Sequence, residues 1–212
     1  MNPRWHIAQF FEIRWWRRYL KHRDKPGYLN WKRGYWRDFL QKSGLCLPPG
    51  ARVLDAGCGP AGIFMILDDQ RVDALDPLLD QYEKSLPHFR RSDYPQVRFF
   101  EAPLESFFPD DNYDFVFCLN AINHVADLAR CLDRLAALTR PGGLLALSVD
   151  AHNHALLKHL FRLAPADILH PHQHDLSEYR EMLGNRSFQV TDAILLKKEA
   201  IFNYHLLLAR KA

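Results

Sequence analysis

The stretch Val53-Leu54-Asp55-Ala56-Gly57-Cys58-Gly59-Pro60-Ala61-Gly62 limits what this chain can fold into more than any other. An apolar pair runs into an acid, and the acid into a glycine-rich turn. A second apolar run follows, Ile63-Phe64-Met65-Ile66-Leu67, long enough to open a helix. Strand, glycine turn, helix is the arrangement that lets backbone approach a ligand closely, because glycine has no Cβ in the way. By pattern this is the first βα unit of a nucleotide-binding sheet. Gly57, Gly59 and Gly62 also satisfy G-x-G-x-x-G, which suits a dinucleotide site equally well. The turn alone does not separate those two uses.

Beyond it the periodicity alternates between strand and helix. Residues 71–76 read as a second strand and 77–85 as its helix; residues 97–101 and 113–119 are the third and fourth strands. A helix with Val125, Leu128, Leu132 and Leu135 inward ends before Pro141-Gly142-Gly143. Residues 144–149 form an apolar run of the kind a strand covered on both faces shows. Residues 153–163 and 175–184 read as helices. Residues 188–197 and 201–209 read as two strands of a hairpin.

The N-terminal segment has a different composition. Residues 1–45 carry eleven Lys/Arg against three acids, whereas the remainder carries seventeen against twenty-two. All five tryptophans, Trp5, Trp15, Trp16, Trp31 and Trp36, lie there as well. Two compositions in one chain imply two jobs, so the chain divides into a helical arm or lid, residues 1–49, and a main domain, residues 50–212. Residues 4–23 read as one helix with Ile7, Phe10, Phe11 and Trp15 on one face, broken by Asp24-Lys25-Pro26-Gly27. Residues 28–43 read as a second, with Trp31, Tyr35, Phe39 and Leu40 on one side. The arm has three readings: a lid packed on the domain, a membrane-surface helix, since Trp with Lys/Arg suits an interface, or a nucleic-acid contact.

With 48% hydrophobic and 25% charged residues the balance is that of an ordinary globular chain. No apolar run approaches the roughly 18 residues that span a bilayer, and no signal-peptide pattern opens the chain. The four cysteines, Cys46, Cys58, Cys118 and Cys131, have no CxxC spacing. A reduced, cytoplasmic setting without a disulfide framework or zinc knuckle is the simplest expectation.

Four pieces in order carry a resemblance: Asp55-Ala56-Gly57-Cys58-Gly59, the acid of Asp73-Ala74-Leu75-Asp76-Pro77, the run from Tyr113-Asp114 to Asn120 and His124, and Arg140-Pro141-Gly142-Gly143. Together they resemble class I S-adenosylmethionine-dependent methyltransferases, and among these the small bacterial enzymes of the ubiquinone-biosynthesis-like group, over roughly residues 50–150. The resemblance implies an α/β fold, a Rossmann-like seven-stranded and mostly parallel sheet with an antiparallel last strand and helices on both faces. It implies S-adenosyl-L-methionine as cofactor and transfer of its methyl group to a small-molecule acceptor. In that frame Gly57 and Gly59 approach the methionyl part and ribose, and Asp55 helps hold the amino end. Ala102 and Leu104 line the adenine, and Asn120 faces the methionine end. Asp76 stands 19 residues after Gly57, close to the offset at which an acid accepts both ribose hydroxyls.

Candidate bases are His124, near the mouth, and His172, within the cluster His152, His154, His170, His172 and His174. That cluster, with Asp167 and Asp175, has the right donor types for a metal but lacks helical His-x-x-x-His or closed Cys/His spacing, so no metal is expected. Leu119-Asn120-Ala121-Ile122 is not the Asn/Asp-Pro-Pro-aromatic signature of nucleobase-amino methylation, and no Pro-Cys nucleophile is present, which removes the usual support for nucleic-acid substrates. The arm's positive charge suits an anionic or lipid-like acceptor, with peripheral membrane contact as an open alternative. Two competitors remain. An NAD(P)-dependent oxidoreductase shares the glycine pattern, and a non-catalytic S-adenosylmethionine-binding protein shares the cofactor site.

Overall fold

A computed structural model describes residues 3–152, 174–199 and 202–212. Seven strands form one sheet: β1 (Arg52–Ala56), β2 (Arg71–Leu75), β3 (Val97–Phe100), β4 (Tyr113–Cys118), β5 (Thr139–His152), β6 (Phe188–Lys198) and β7 (Phe202–Lys211). Their spatial order is β3-β2-β1-β4-β5-β7-β6. The first five pair parallel, while β7 lies between β5 and β6 and is antiparallel to both. The expected seven-stranded, mostly parallel sheet with its terminal hairpin is the one observed. Strand order reverses between β1 and β4, and a crevice opens at the carboxyl ends of strands at such a switch point.

Strand alternation divides the core into two layers. Val53, Val72, Ala74, Phe117 and Ala146 face one side, and Leu54, Leu75, Val116, Cys118 and Leu145 face the other. The second side is covered by α4 (Leu128–Leu138) and α5 (Leu176–Gly184), whose Leu132, Leu135, Tyr179 and Leu183 are buried. The first side is covered by α1 (Pro3–Leu20), α2 (Lys25–Ser43) and α3 (Leu79–Ser85). Ile13 and Leu20 of α1, and Tyr28, Leu29, Trp36 and Phe39 of α2, belong to the same core cluster as Val53 and Phe64.

Three local readings differ from the sequence expectation. The face of α1 is turned: Phe10, Phe11 and Trp15 are exposed, and Ile13, Trp16 and Leu20 point inward. Both triplets have helical spacing, and the second lets Trp16 meet Tyr82 of α3 edge to face at 6.5 Å. On α2, Trp31 stands 53% exposed, tilted against Tyr28 and Tyr35, while Trp36 takes the buried place. Asp24-Lys25-Pro26-Gly27 ends α1 and also starts α2: the Asp24 carboxylate accepts from the Gly27 amide at 2.7 Å. Pro26 occupies the first turn, where its missing N–H costs nothing.

The third difference lies after the glycine turn. Only fourteen residues, 57–70, separate β1 from β2, and they form two short 3₁₀ turns, Gly59–Ala61 and Ile63–Ile66, in place of a helix. Pro60 lacks a donor, and Gly62 is extended (φ −75°, ψ −177°), so the run is interrupted twice. The Trp36 indole Nε1 of α2 donates to the Ala61 carbonyl at 3.0 Å, which fastens the arm to the turn. The expected helix over residues 153–163 lies outside the described residues. No helix among the described residues is long and apolar enough to cross a membrane.

Because Asp24 caps α2, Asp24→Ala is expected to cost about 0.5–2 kcal/mol of stability. Urea unfolding of the two proteins measures it; an unchanged midpoint would place the helix start elsewhere.

Candidate functional site

The crevice is built by the loops that leave β1, β2, β3 and β4. Gly57 takes the left-handed conformation (φ +73°), and a Cβ there would overlap the Cβ of Ala121, which follows β4. The absence of a side chain is what brings the two loops together across the switch point. The Gly57 and Cys58 amides both donate to the Leu75 carbonyl, at 2.7 and 3.1 Å, tying the turn to the end of β2. Gly59 is left-handed as well (φ +57°), and its amide donates to Asp76 Oδ2 at 2.9 Å.

Two carboxylates lie within this framework almost fully out of water. Asp55 is 2% exposed, with Oδ2 accepting from the Phe64 amide at 3.1 Å. Burial pushes its pKa up to about 7, against the opposing pull of the Phe64 and Ile63 amides and the Lys32 ammonium. Asp76 is 6% exposed; Oδ1 accepts from the Leu78 amide at 2.9 Å, opposite the Gly59 contact. Burial raises its pKa too, and the carboxylate of Glu12 adds to the rise. Glu12 comes from α1 and accepts from the Tyr82 hydroxyl at 2.6 Å. Each Asp76 oxygen retains acceptor capacity beyond its amide, as a vicinal diol requires.

On the opposite wall Asn120 is held in the left-handed region (φ +57°), a strained placement for a non-glycine residue. Its amide donates to Ser148 Oγ at 2.8 Å, and the Tyr204 hydroxyl donates to the same oxygen at 2.8 Å. Ala102 and Leu104 follow β3, with Leu104 buried and Ala102 half-buried against the second core layer. Asp55, Gly57, Gly59, Asp76, Ala102, Leu104 and Asn120 thus all stand at the carboxyl ends of β1–β4. His124 is exposed on a short turn, Ile122–His124. His172 lies outside the described residues, as do His154, His170 and Asp167. Among the described residues no group of three or more His, Cys, Asp or Glu is arranged to hold a metal.

Four further groups were not singled out from sequence: Glu12, Lys32, Ser148 and Tyr204. Lys32 was visible only as one cation in a basic segment; its spacing to Tyr35 and Trp36, three and four residues on, is the signal that marks a shared helix face.

A family model described as a methyltransferase domain matches residues 28–193, most of the chain. The chain belongs to the class I S-adenosylmethionine-dependent methyltransferase family. Similar members include the trans-aconitate 2-methyltransferase of Variovorax paradoxus (strain S110), 30% identical over 122 residues, 57% of this chain and 47% of that protein. The ubiquinone biosynthesis O-methyltransferase of Bradyrhizobium sp. (strain ORS 278) is 32% identical over 116 residues, 53% and 44% respectively. The matches therefore span less than half the length of these two relatives. Among solved structures, the YcgJ protein from Bacillus subtilis superposes with a TM-score of 0.66 at 16% identity, covering 82% of this chain and 97% of that one. Magnesium protoporphyrin IX methyltransferase from Synechocystis PCC 6803 superposes at 0.63 and 18% identity, covering 100% and 98%. At such identities the likeness is one of fold.

The raised Asp55 pKa fixes the sign of a pH effect. Between about pH 4 and pH 7 the folded chain holds a proton on Asp55 that the unfolded chain has released, so this residue lowers apo stability as pH rises through that window. Asp55→Asn is therefore expected to gain stability over the unsubstituted protein as pH rises from 4 to 7, by roughly 1.4 kcal/mol per unit at most. Urea unfolding at both ends of the range tests it. A stability difference that does not move with pH would mean that Asp55 is not held protonated.

Proposed function

We propose that this methyltransferase-family chain transfers the methyl group of S-adenosylmethionine to a small-molecule acceptor. The observation that carries the reading is the pair of buried carboxylates, Asp55 and Asp76, on either side of a left-handed glycine turn. For both acids the cost of burial outweighs the backbone amides that bond them and, for Asp55, the pull of Lys32, and this cofactor supplies an ammonium and a ribose diol as further partners. In this reading Asp55 holds the amino end, and Asp76 accepts from the ribose hydroxyls. The backbone at Gly57 and Gly59 admits the methionyl and ribose parts. Ala102 and Leu104 line the adenine, and Asn120 closes the methionine end.

When bound, the cofactor supplies a methyl already activated on a sulfonium. What the protein adds is positioning, exclusion of water and orientation of the acceptor. The arm, residues 1–49, is proposed to roof the cleft through α2, and its positive charge favours an anionic or lipid-like acceptor. His124, and His172 among the later histidines, are the proposed bases for an acceptor that must lose a proton. A cytoplasmic setting with a peripheral membrane contact by the arm fits this acceptor class. Trans-aconitate 2-methylation and O-methylation in ubiquinone biosynthesis are what the two relatives are named for, and both names are consistent with a small-molecule substrate here.

Calorimetry with S-adenosylmethionine and with NAD separates this reading from an oxidoreductase: S-adenosylmethionine is expected to bind and NAD to give no heat. Tight NAD binding alone would overturn it, and cofactor binding without turnover on any acceptor would favour a non-catalytic role. Asp76→Ala is expected to weaken S-adenosylmethionine about 10- to 100-fold, the loss of charge-assisted hydrogen bonds worth roughly 1.5–3 kcal/mol. An unchanged affinity would put Asp76 outside the site.

A further inference from the structure

Three large aromatic side chains of α1 are turned to solvent: Phe10, Phe11 and Trp15 stand 63%, 48% and 54% exposed. An apolar cluster of this size on one helix face marks a contact surface. It is also continuous. Phe10 meets Phe11 edge to face at 5.7 Å, and Trp15 stacks on Tyr19 at 4.8 Å. Tyr19 in turn meets Tyr28 of α2 at 6.2 Å, and Tyr28 meets the exposed Trp31 at 5.9 Å. The two exposed indoles thus stand at the ends of one run of rings that crosses from α1 to α2.

The same side of α1 is cationic. Arg14, Arg17, Arg18 and Lys21 are all exposed, and Arg14 and Arg18 follow Phe10 at four-residue spacing, which puts them in one row with it. Among the described residues no carboxylate lies within ion-pair distance of any of the four, whereas Lys25 pairs with Asp93 at 2.8 Å. Glu12, the one acid of α1, points inward and accepts from the Tyr82 hydroxyl at 2.6 Å. The inner side of the helix reaches the glycine turn: a Cβ built on Gly59 would stand 3.9 Å from Trp16 Cζ2. Whatever binds the outer face of α1 therefore lies one helix diameter, about 10–12 Å, from that turn.

We propose that the outer face of α1 docks on the surface of an anionic phospholipid bilayer. Phe10, Phe11 and Trp15 enter the boundary between headgroups and acyl chains, and Arg14, Arg17, Arg18 and Lys21 meet lipid phosphates. The proposal rests on the reading above only for the arm's peripheral contact, to which it gives a surface and a lipid charge. Two other occupants fit less well. A second copy, joined about a two-fold axis, would set these unpaired cations against their own kind. Single-stranded nucleic acid is bound in grooves that track its backbone, and the outer face of a helix is convex. A bilayer surface takes the rings and the cations together.

Co-sedimentation of the full chain with phosphatidylcholine vesicles, with and without phosphatidylglycerol, tests it. Binding is expected only where phosphatidylglycerol is present. It is expected to fall when salt rises from about 0.1 M to about 1 M, which shortens the screening length from ~10 to ~3 Å. Arg14→Gln with Arg18→Gln should weaken binding about 10- to 30-fold. Phe10→Ser, Phe11→Ser and Trp15→Ser together should weaken it about 10-fold or more; should that triple change disturb α1 by circular dichroism, the arginine pair carries the test. Affinity for S-adenosylhomocysteine is expected to be unchanged in both variants, since all five side chains point away from the crevice.

Equal binding to neutral and anionic vesicles, binding to neither, or variants that bind like the unsubstituted chain overturn the proposal. So does a chain that ignores vesicles but dimerises or binds oligothymidylate through these rings, which would assign the face to a second copy or to nucleic acid. A failure of the methyl-transfer reading looks different: the unsubstituted chain then sediments with anionic vesicles but binds no S-adenosylhomocysteine.

Discussion

Keeping two carboxylates out of water beside a glycine turn is the constraint on which the rest of the crevice depends. Asp55 and Asp76 end up 2% and 6% exposed because one lies in β1 and the other directly follows β2, in a sheet covered on both faces. Among the described residues neither acid is neutralised by an ion pair of its own; the backbone amides of Gly59, Phe64 and Leu78 do the holding. Those amides point correctly only because residues 57 and 59 can adopt positive φ and because nothing projects from Gly57 toward Ala121. The turn's geometry and the acids' desolvation are thus one arrangement. It gives the apo protein an electrostatic cost that, in the proposed reading, a cationic, diol-bearing ligand removes.

The arm completes this arrangement and is more than an attachment. The segment between β1 and β2 is too short and too interrupted to make a full crossover helix. Helix α2 packs against that segment, with Trp36 bonded into the turn and Phe39 and Leu29 in the core. Helix α1 then sets Glu12 against Tyr82, close enough to Asp76 to raise its pKa further. Basic and aromatic composition, which sets the first 45 residues apart in sequence, serves two ends in three dimensions. Trp16, Trp36 and Phe39 pack against the sheet layer, while Phe10, Phe11 and Trp15 remain outward.

What was legible in the sequence follows from how local each signal is. Strands buried on both faces read as apolar runs, and the order of Asp55, Asp76, Asn120 and the Pro141-Gly142-Gly143 turn pointed to the sheet that is observed, with these three candidate residues at or next to the carboxyl ends of β1, β2 and β4. The face of α1 was not legible, because Phe10, Phe11 and Trp15 on one side and Ile13, Trp16 and Leu20 on the other both cluster on a helical face, and the contact of Trp16 with Tyr82 of α3 goes with the second. The missing crossover helix was misread from the apolar character of Ile63–Ile66. Periodicity does not register that Pro60 and Gly62 break the run or that a distant helix fills the space. Lys32 and Glu12 come under the influence of Asp55 and Asp76 through tertiary packing alone, so no spacing within 50–212 announces them.

The central claim, that the crevice holds two strained acids awaiting a cationic cofactor, is tested most directly by proton release on binding. Calorimetric titration of S-adenosylmethionine near pH 7, repeated in buffers of different ionisation enthalpy, counts the protons exchanged per ligand bound. Charge on the ligand should drive Asp55 and Asp76 toward their ionised forms, so net release of a substantial fraction of a proton is expected, and Asp55→Asn should reduce it. Binding with no proton exchange, the same in the substituted protein, would contradict the account.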